Sequence, residues 1–195
     1  MTRTFGALLA LTISLATVFT LALAQDTAAP EQSTEAPAPD VPRIEHAHLT
    51  RRAGEYTTTI KYRSAPDAEP EVSTGVATIT SILDGRFISE DNSGTMGGAP
   101  FSGRRIMGFN NRTERFEASW FYSNSSAMLV LVGESNDLGS TIDLKGSYEG
   151  APGKMFTLTA RIRFIDFDRF AVDMLSNAPD GSQYVMLETL YKRVR

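Results

Sequence analysis

Residues 155–166, MFTLTARIRFID, constrain the fold more than any other stretch of this chain. Side chains along an extended strand point alternately to opposite faces. Here Phe156, Leu158, Ala160, Ile162 and Phe164 fall on one face, and Thr157, Thr159, Arg161 and Arg163 on the other. No helical period of 3.6 residues reproduces that division, so the segment is a strand with one dry and one wet face.

The same rhythm recurs along the chain. Tyr56, Thr58, Ile60 and Tyr62 oppose Thr57, Thr59, Lys61 and Arg63. Phe116, Ala118, Trp120 and Tyr122 oppose Arg115, Glu117 and Ser119, and Ile142, Leu144 and Tyr148 oppose Asp143, Lys145 and Ser147. Further strands are expected over 72–83, 87–93, 101–109, 170–175 and 183–191. Residues 127–132, apolar on both parities, are expected to be covered on both sides. Asp84-Gly85, residues 110–113 and Pro179-Asp180-Gly181 supply turn chemistry. Residues 65–70 form a proline-bounded loop, and the glycine-rich 94–100 a loop at the mouth. A short helix is expected ahead of the strands, with Pro42 in its first turn, Ile44, Ala47, His48 and Leu49 near one face and Gly54 at its end.

About ten short antiparallel strands predict an all-β closed barrel in preference to a sandwich, because closure leaves no strand edge exposed. A barrel of that size is wide enough for one small ligand if side chains do not fill it.

Ahead of this domain, residues 1–24 carry Arg3, an apolar run and Ala22-Leu23-Ala24 before Gln25, the layout of a cleavable secretory signal. The expected product is periplasmic or secreted, with no stable membrane insertion after cleavage. Residues 25–42 are rich in Ala and Pro, with Asp26, Glu31, Glu35 and Asp40 and no base, and read as a disordered acidic linker. Residues 43–195 make the barrel domain. Arg3 and the four linker acids account for −3 of the formal −4, leaving −1 for that domain. A near-neutral domain lacks the basic footprint of a nucleic-acid binder.

The ordered segments EH..L....GEY (Glu45 to Tyr56), APDAEPEVSTG (65–75), ILDGRF (82–87), GTMGGAPFSG (94–103), GFNNRTERFEASW (108–120) and PDGSQYVMLETLYKR (179–193) resemble the bacterial domain of unknown function family 1579. The resemblance covers residues 45–193 and implies an exported, calycin-like or lipocalin-like barrel with no agreed catalytic residue. Tyr56, Tyr122 and Gln183 stand where that family commonly has tryptophan, aspartate and glutamate.

The chain has no cysteine and two histidines, His46 and His48. That leaves no thiolate chemistry, no Ser-His-Asp arrangement beyond residue 48 and no histidine ligand for haem iron on the strands. On a helix the two imidazoles diverge, and no third metal ligand is signalled. No cofactor, metal or catalytic residue is expected.

Arg105 is the informative cation. It shares the parity of Phe101, Met107 and Phe109, so it points where the aromatics point, and a lone guanidinium there is costly without a partner. Glu90 and Asp91, one strand earlier, are candidate partners, and a rim-level pair or a bulge that turns Arg105 outward is the competing reading. The site reading sets Arg105 and Glu90 in the barrel with Trp120, Tyr122, Phe116 and Tyr62 as an apolar wall, holding a small hydrophobic or anionic ligand. The alternative is an envelope structural or interaction protein with a filled barrel. An enzyme ranks below both.

Overall fold

The alternating segments become strands in a computed structural model that describes residues 40–136 and 139–194. The expected secretory leader and the expected linker up to residue 39 lie outside the described residues. Helix α1 spans Ile44–Thr50, followed by β1 (Gly54–Tyr62), β2 (Glu71–Ile82), β3 (Phe87–Met96), β4 (Ala99–Asn110) and β5 (Arg115–Tyr122). The chain continues through β6 (Leu129–Ser135), β7 (Thr141–Ala151), β8 (Lys154–Phe164), β9 (Arg169–Asn177) and β10 (Gln183–Arg193). Each strand pairs antiparallel with its sequence neighbours, and β10 returns to β1 from Tyr56↔Arg193 to Tyr62↔Leu187, closing a ten-stranded barrel.

Closure turns every dry face inward. The cross-strand rows Ile142↔Ile162↔Val172 and Leu144↔Ala160↔Met174 are buried and form one side of the core. Phe116, Ala118 and Trp120 face them from β5, through Leu131 and Leu129 on β6. Where Phe116 meets Gly133, a Cβ on the glycine would lie 1.7 Å from the Asp143 carbonyl oxygen, so the barrel closes here only because that side chain is missing. The wet faces carry bidentate ion pairs between neighbouring strands: Arg161 Nε lies 2.7 Å from Asp143, and Arg163 Nε 2.6 Å from Asp173.

The turns after β2, β4, β6 and β8 gather at one end, with α1 across it. The turns after β1, β3, β5, β7 and β9 surround the other. At the helical end Leu49 is buried, His46 meets Phe109 edge-on at 5.9 Å and His48 meets Phe164 at 4.5 Å. Arg43 is the N-cap, and its backbone N–H donates to His46 Nδ1 at 2.9 Å. Arg52 donates to the carbonyls of Asp166 and Phe167 at 2.6 and 3.1 Å, tying the helix exit to the β8–β9 turn. This end is sealed.

Four local expectations are corrected. The helix buries His46 and Leu49 rather than a face containing Ile44, which is 78% exposed, because residues three apart share a helical face. The expected loop over 94–100 is mostly strand: β3 runs to Met96 and β4 starts at Ala99, with only Gly97-Gly98 turning at positive φ. Residues 127–132 are not covered on both sides, since β6 buries Leu129 and Leu131 and leaves Val130 and Val132 on the outer surface. Phe156, on the inward parity, sits close to the β7–β8 turn and is exposed, while Leu158 and Ile162 farther along are buried.

Candidate binding site at the open end

The site is assembled from three consecutive rows across β3, β4 and β5. Glu90 lies opposite Arg105, and Arg105 opposite Trp120. One row nearer the mouth, Asn92 lies opposite Gly103, and Gly103 opposite Tyr122. One row farther from it, Ile88, Met107 and Ala118 return to an apolar layer. Polar side chains therefore enter the barrel as a band between a sealed apolar half and the open end.

Arg105 is 2% exposed and Glu90 1%, and Arg105 Nη2 donates to Glu90 Oε2. The other carboxylate oxygen accepts from Tyr191 Oη at 2.7 Å and from Asn92 Nδ2 at 3.0 Å. Trp120 lies beneath the guanidinium, with Arg105 Cζ 5.3 Å from its ring centre. Burial pulls the Arg105 pKa down, but Glu90 above all, with Tyr191 and Tyr122, more than offsets this and holds it above its ordinary value. The guanidinium thus stays charged beside Glu90. Burial, then Glu90, pushes Tyr191 well above the usual phenol range, and burial likewise raises Tyr122. Both phenols are O–H donors at any physiological pH.

Two adjoining hollows lie above this band. The floor is a small space of about 40 Å³ bordered by Glu90, Asn92, Trp120, Tyr122, Thr58 and Tyr191. The mouth is a cavity of about 280 Å³ walled mainly by Tyr62, Leu129, Tyr148 and Leu158, with Met96, Met174 and Met186. Phe101, Tyr122, Met174 and Leu187 border both, so the two hollows adjoin at these side chains. Unbranched methionines let such a wall adapt its shape.

The expected site residues separate accordingly. Trp120, Tyr122 and Glu90 meet at the floor, and Tyr62 stands at the mouth. Phe116 is not part of this wall: it packs on Phe109 at 5.0 Å under α1, in the sealed half, because it lies four residues from Trp120 along the same strand. Arg105 is inside the barrel, neither at a rim nor turned out by a bulge, yet it borders neither hollow. Asp91 pairs with Arg104 on the outer face, at 2.6 Å. Asn92, Gly103 and Tyr191 were not singled out from the sequence. The parity that places Ile88 inside also places Glu90 and Asn92 inside, which is the signal that finds two of the floor's polar groups.

Arg105 Nε and Nη1, Tyr122 Oη and Asn92 Oδ1 are buried polar atoms without a hydrogen-bond partner. Buried polar groups are ordinarily paired; Tyr122 and Asn92 border the floor, so their two atoms mark it as a place where something polar is received, while the two on Arg105 border neither hollow. Among the described residues no cluster of three or more His, Asp or Glu side chains is placed to hold a metal ion, and no helix is long and apolar enough to cross a membrane.

Fold and site together define a closed ten-stranded antiparallel barrel, covered by a helix at one end and hollow at the other. Residues 41–193 match the family described as "Protein of unknown function (DUF1579)", and the chain belongs to that family. No curated protein matches it. Among solved structures it is similar to Rv2717c from M. tuberculosis, with TM-score 0.56 and 16% identity over 80% of this chain and 100% of that one. It is also similar to the S-type phycobiliprotein lyase CPES from Guillardia theta, with TM-score 0.50 and 14% identity over 79% of this chain and 99% of that one. At such identities these neighbours speak for the fold alone.

Proposed function

We propose that this chain is an exported binding barrel that takes one small amphipathic molecule through its open end. The observation that carries the reading is the apolar mouth of about 280 Å³ beside a floor with unpartnered buried polar atoms, in a barrel whose helical half holds a buried apolar cluster. Apolar walls with a few converging polar groups are the usual makeup of a small-molecule site. The apolar part of the ligand lies against Leu129, Leu158 and the methionines, and its polar head reaches Tyr122 and Asn92. The leader belongs to the same proposal, and the mass of the mature protein recovered from its producing cells, beginning at Gln25, tests it.

Trp120 is the only tryptophan and borders the floor, so its emission reports occupancy there directly. Titrating the purified domain with short-chain amphiphiles is expected to shift Trp120 emission and raise the melting midpoint together. A panel of such amphiphiles that moves neither signal would sink the reading.

One observation favours an interaction module instead. Phe121, Val130 and Val132 are exposed on the outer faces of adjoining strands β5 and β6. On that reading, cross-linking from this face in whole cells captures a specific partner, and alanine at Val130 and Val132 abolishes the capture while amphiphile binding stays absent throughout.

A further inference from the structure

The chemistry of the floor says which head group the binding barrel accepts, an inference that rests on the proposed function above. We propose that the floor selects a neutral head carrying both a hydrogen-bond acceptor and a donor, of which a primary amide is the simplest example, and rejects carboxylates.

Charge is the first ground. An inward arginine reads from sequence as an anion clamp, but its charge is already met by Glu90, and Arg105 borders neither hollow whereas Glu90 borders the floor. An anion descending from the mouth therefore meets a carboxylate before it meets a guanidinium. Like charges brought together away from water repel strongly. An alkylammonium gains from Glu90, an attraction that Arg105 behind it partly offsets, but it brings no acceptor for the Tyr122 O–H.

The unpartnered atoms are the second ground. Tyr122 Oη and Asn92 Oδ1 are both buried without partners, and both side chains border the floor. The Asn92 amide is already oriented, because its Nδ2 donates to Glu90, so its Oδ1 is left as an acceptor. The Tyr122 phenol keeps its proton and is left as a donor. Gly103 stands between them in the same cross-strand row: a Cβ there would lie 2.9 Å from Asn92 Oδ1 and 3.2 Å from Tyr122 Cδ1. The missing side chain is what lets the amide and the phenol ring come together. An incoming amide carbonyl accepts from Tyr122 O–H while its N–H donates to Asn92 Oδ1. A carboxylate has no proton to give and leaves Asn92 Oδ1 unpaired, the kind of mismatch that sites built on hydrogen bonds penalise most.

Position is the third ground. Tyr122 borders both hollows, so it stands where the head of a molecule whose tail fills the mouth must arrive.

Three eight-carbon probes that differ in head test this: octanamide, octanoate and octylammonium, titrated at pH 7.4 against the unmodified domain by Trp120 emission and by calorimetry. Octanamide is expected to bind about tenfold or more tightly than either ion, and Tyr122→Phe to remove most of that margin while the far-UV spectrum and melting midpoint stay unchanged. Octanoate or octylammonium binding as tightly as octanamide overturns the head-group inference and leaves the binding barrel standing. A margin that survives Tyr122→Phe overturns it too. If all three probes are silent, both the inference and the binding reading fall.

Discussion

Glu90–Arg105 and Asp91–Arg104 are consecutive rungs of the same β3–β4 ladder, with the same charges one residue apart. The first is almost wholly buried, its members 1% and 2% exposed, and the second stands with both side chains more than half exposed. Only strand parity separates them. The inner pair is removed from water, draws in Tyr191 and Asn92, and still leaves two guanidinium nitrogens without acceptors. The outer pair is a complete bidentate contact, at 2.6 and 3.0 Å, in solvent. Better geometry therefore accompanies the weaker coupling. What sets the energy is the dielectric around the charges rather than the quality of the bond. A pair that costs desolvation and remains incompletely satisfied is a poor way to stabilise a barrel, which is why the inner rung reads as a site and the outer one as surface.

The largest effect that would break this contrast lies at Glu90. Glu90→Ala is expected to lower the unfolding free energy by about 3–5 kcal/mol, because it strands a charged guanidinium in the interior. Urea unfolding measures it. Removing both charges, Glu90→Gln with Arg105→Met, is expected to recover much of that loss, since no unpaired charge then remains in the interior. A double variant as unstable as the single one would mean that the pair is a net contributor to the fold. Next comes Tyr191→Phe, which takes one hydrogen bond from a buried carboxylate and leaves the ring stacked on Phe170 at 4.2 Å. Its expected cost is about 1–2 kcal/mol in the same assay, with β10 still closing the barrel.

Parity was legible in the sequence wherever one face is wet. Tyr56 to Tyr62, Phe116 to Tyr122 and Ala160 to Phe164 follow it, and so does the inward placement of Arg105, whereas Thr159 on the outward parity is buried. It fails where the reason for burial is not local. Val130 and Val132 are apolar yet face outward, because β-branched residues suit a strand on either face and nothing packs over them. Phe156 obeys parity but lies at the rim of the barrel, and depth along the barrel axis leaves no mark on a strand's alternation. The same blindness merged Phe116 with Trp120 into one wall, though one sits under the helix and the other on the floor. Tyr191 joins Glu90 only through closure of β10 on β1, which brings together residues 101 positions apart in the chain. Spacing along the sequence carries no record of such a contact.

His48 sharpens the comparison from the sealed end. It is a base that is partly buried, with no carboxylate set against it among the described residues. Burial, then Arg51 and Arg52, pull its pKa from the ordinary 6.5 down to about 4, whereas Glu90 keeps Arg105 charged. The folded state therefore favours neutral His48. Its contribution to stability is complete above pH 6.5 and is lost as the pH falls from there to about 4, where the folded state also takes up the proton. Because the ring is only half buried, the expected loss across that window is of order 1 kcal/mol. His48→Gln should flatten the dependence of the melting midpoint on pH between those limits. The carboxylates of Asp166 and Asp180, held below their usual range by hydrogen bonds from Arg169 and Ser182 respectively, act only at lower pH and leave the window clear.

The smallest effect is the most direct control. Asp91→Asn removes the outer partner of the rung while leaving strand, parity and size unchanged, and Arg104 then loses its neighbour in water instead of in the interior. Solvent and salt already screen that contact, so the melting midpoint is expected to move by no more than about 2 °C, and by less as salt rises. Performed beside Glu90→Gln, this isosteric exchange changes one carboxylate to one amide on each side of the same sheet. If the outer exchange proved as destabilising as the inner one, parity would not be what separates the two rungs. The case for the inner pair as part of a site would then lose its physical basis, because both carboxylates would simply be holding β3 to β4.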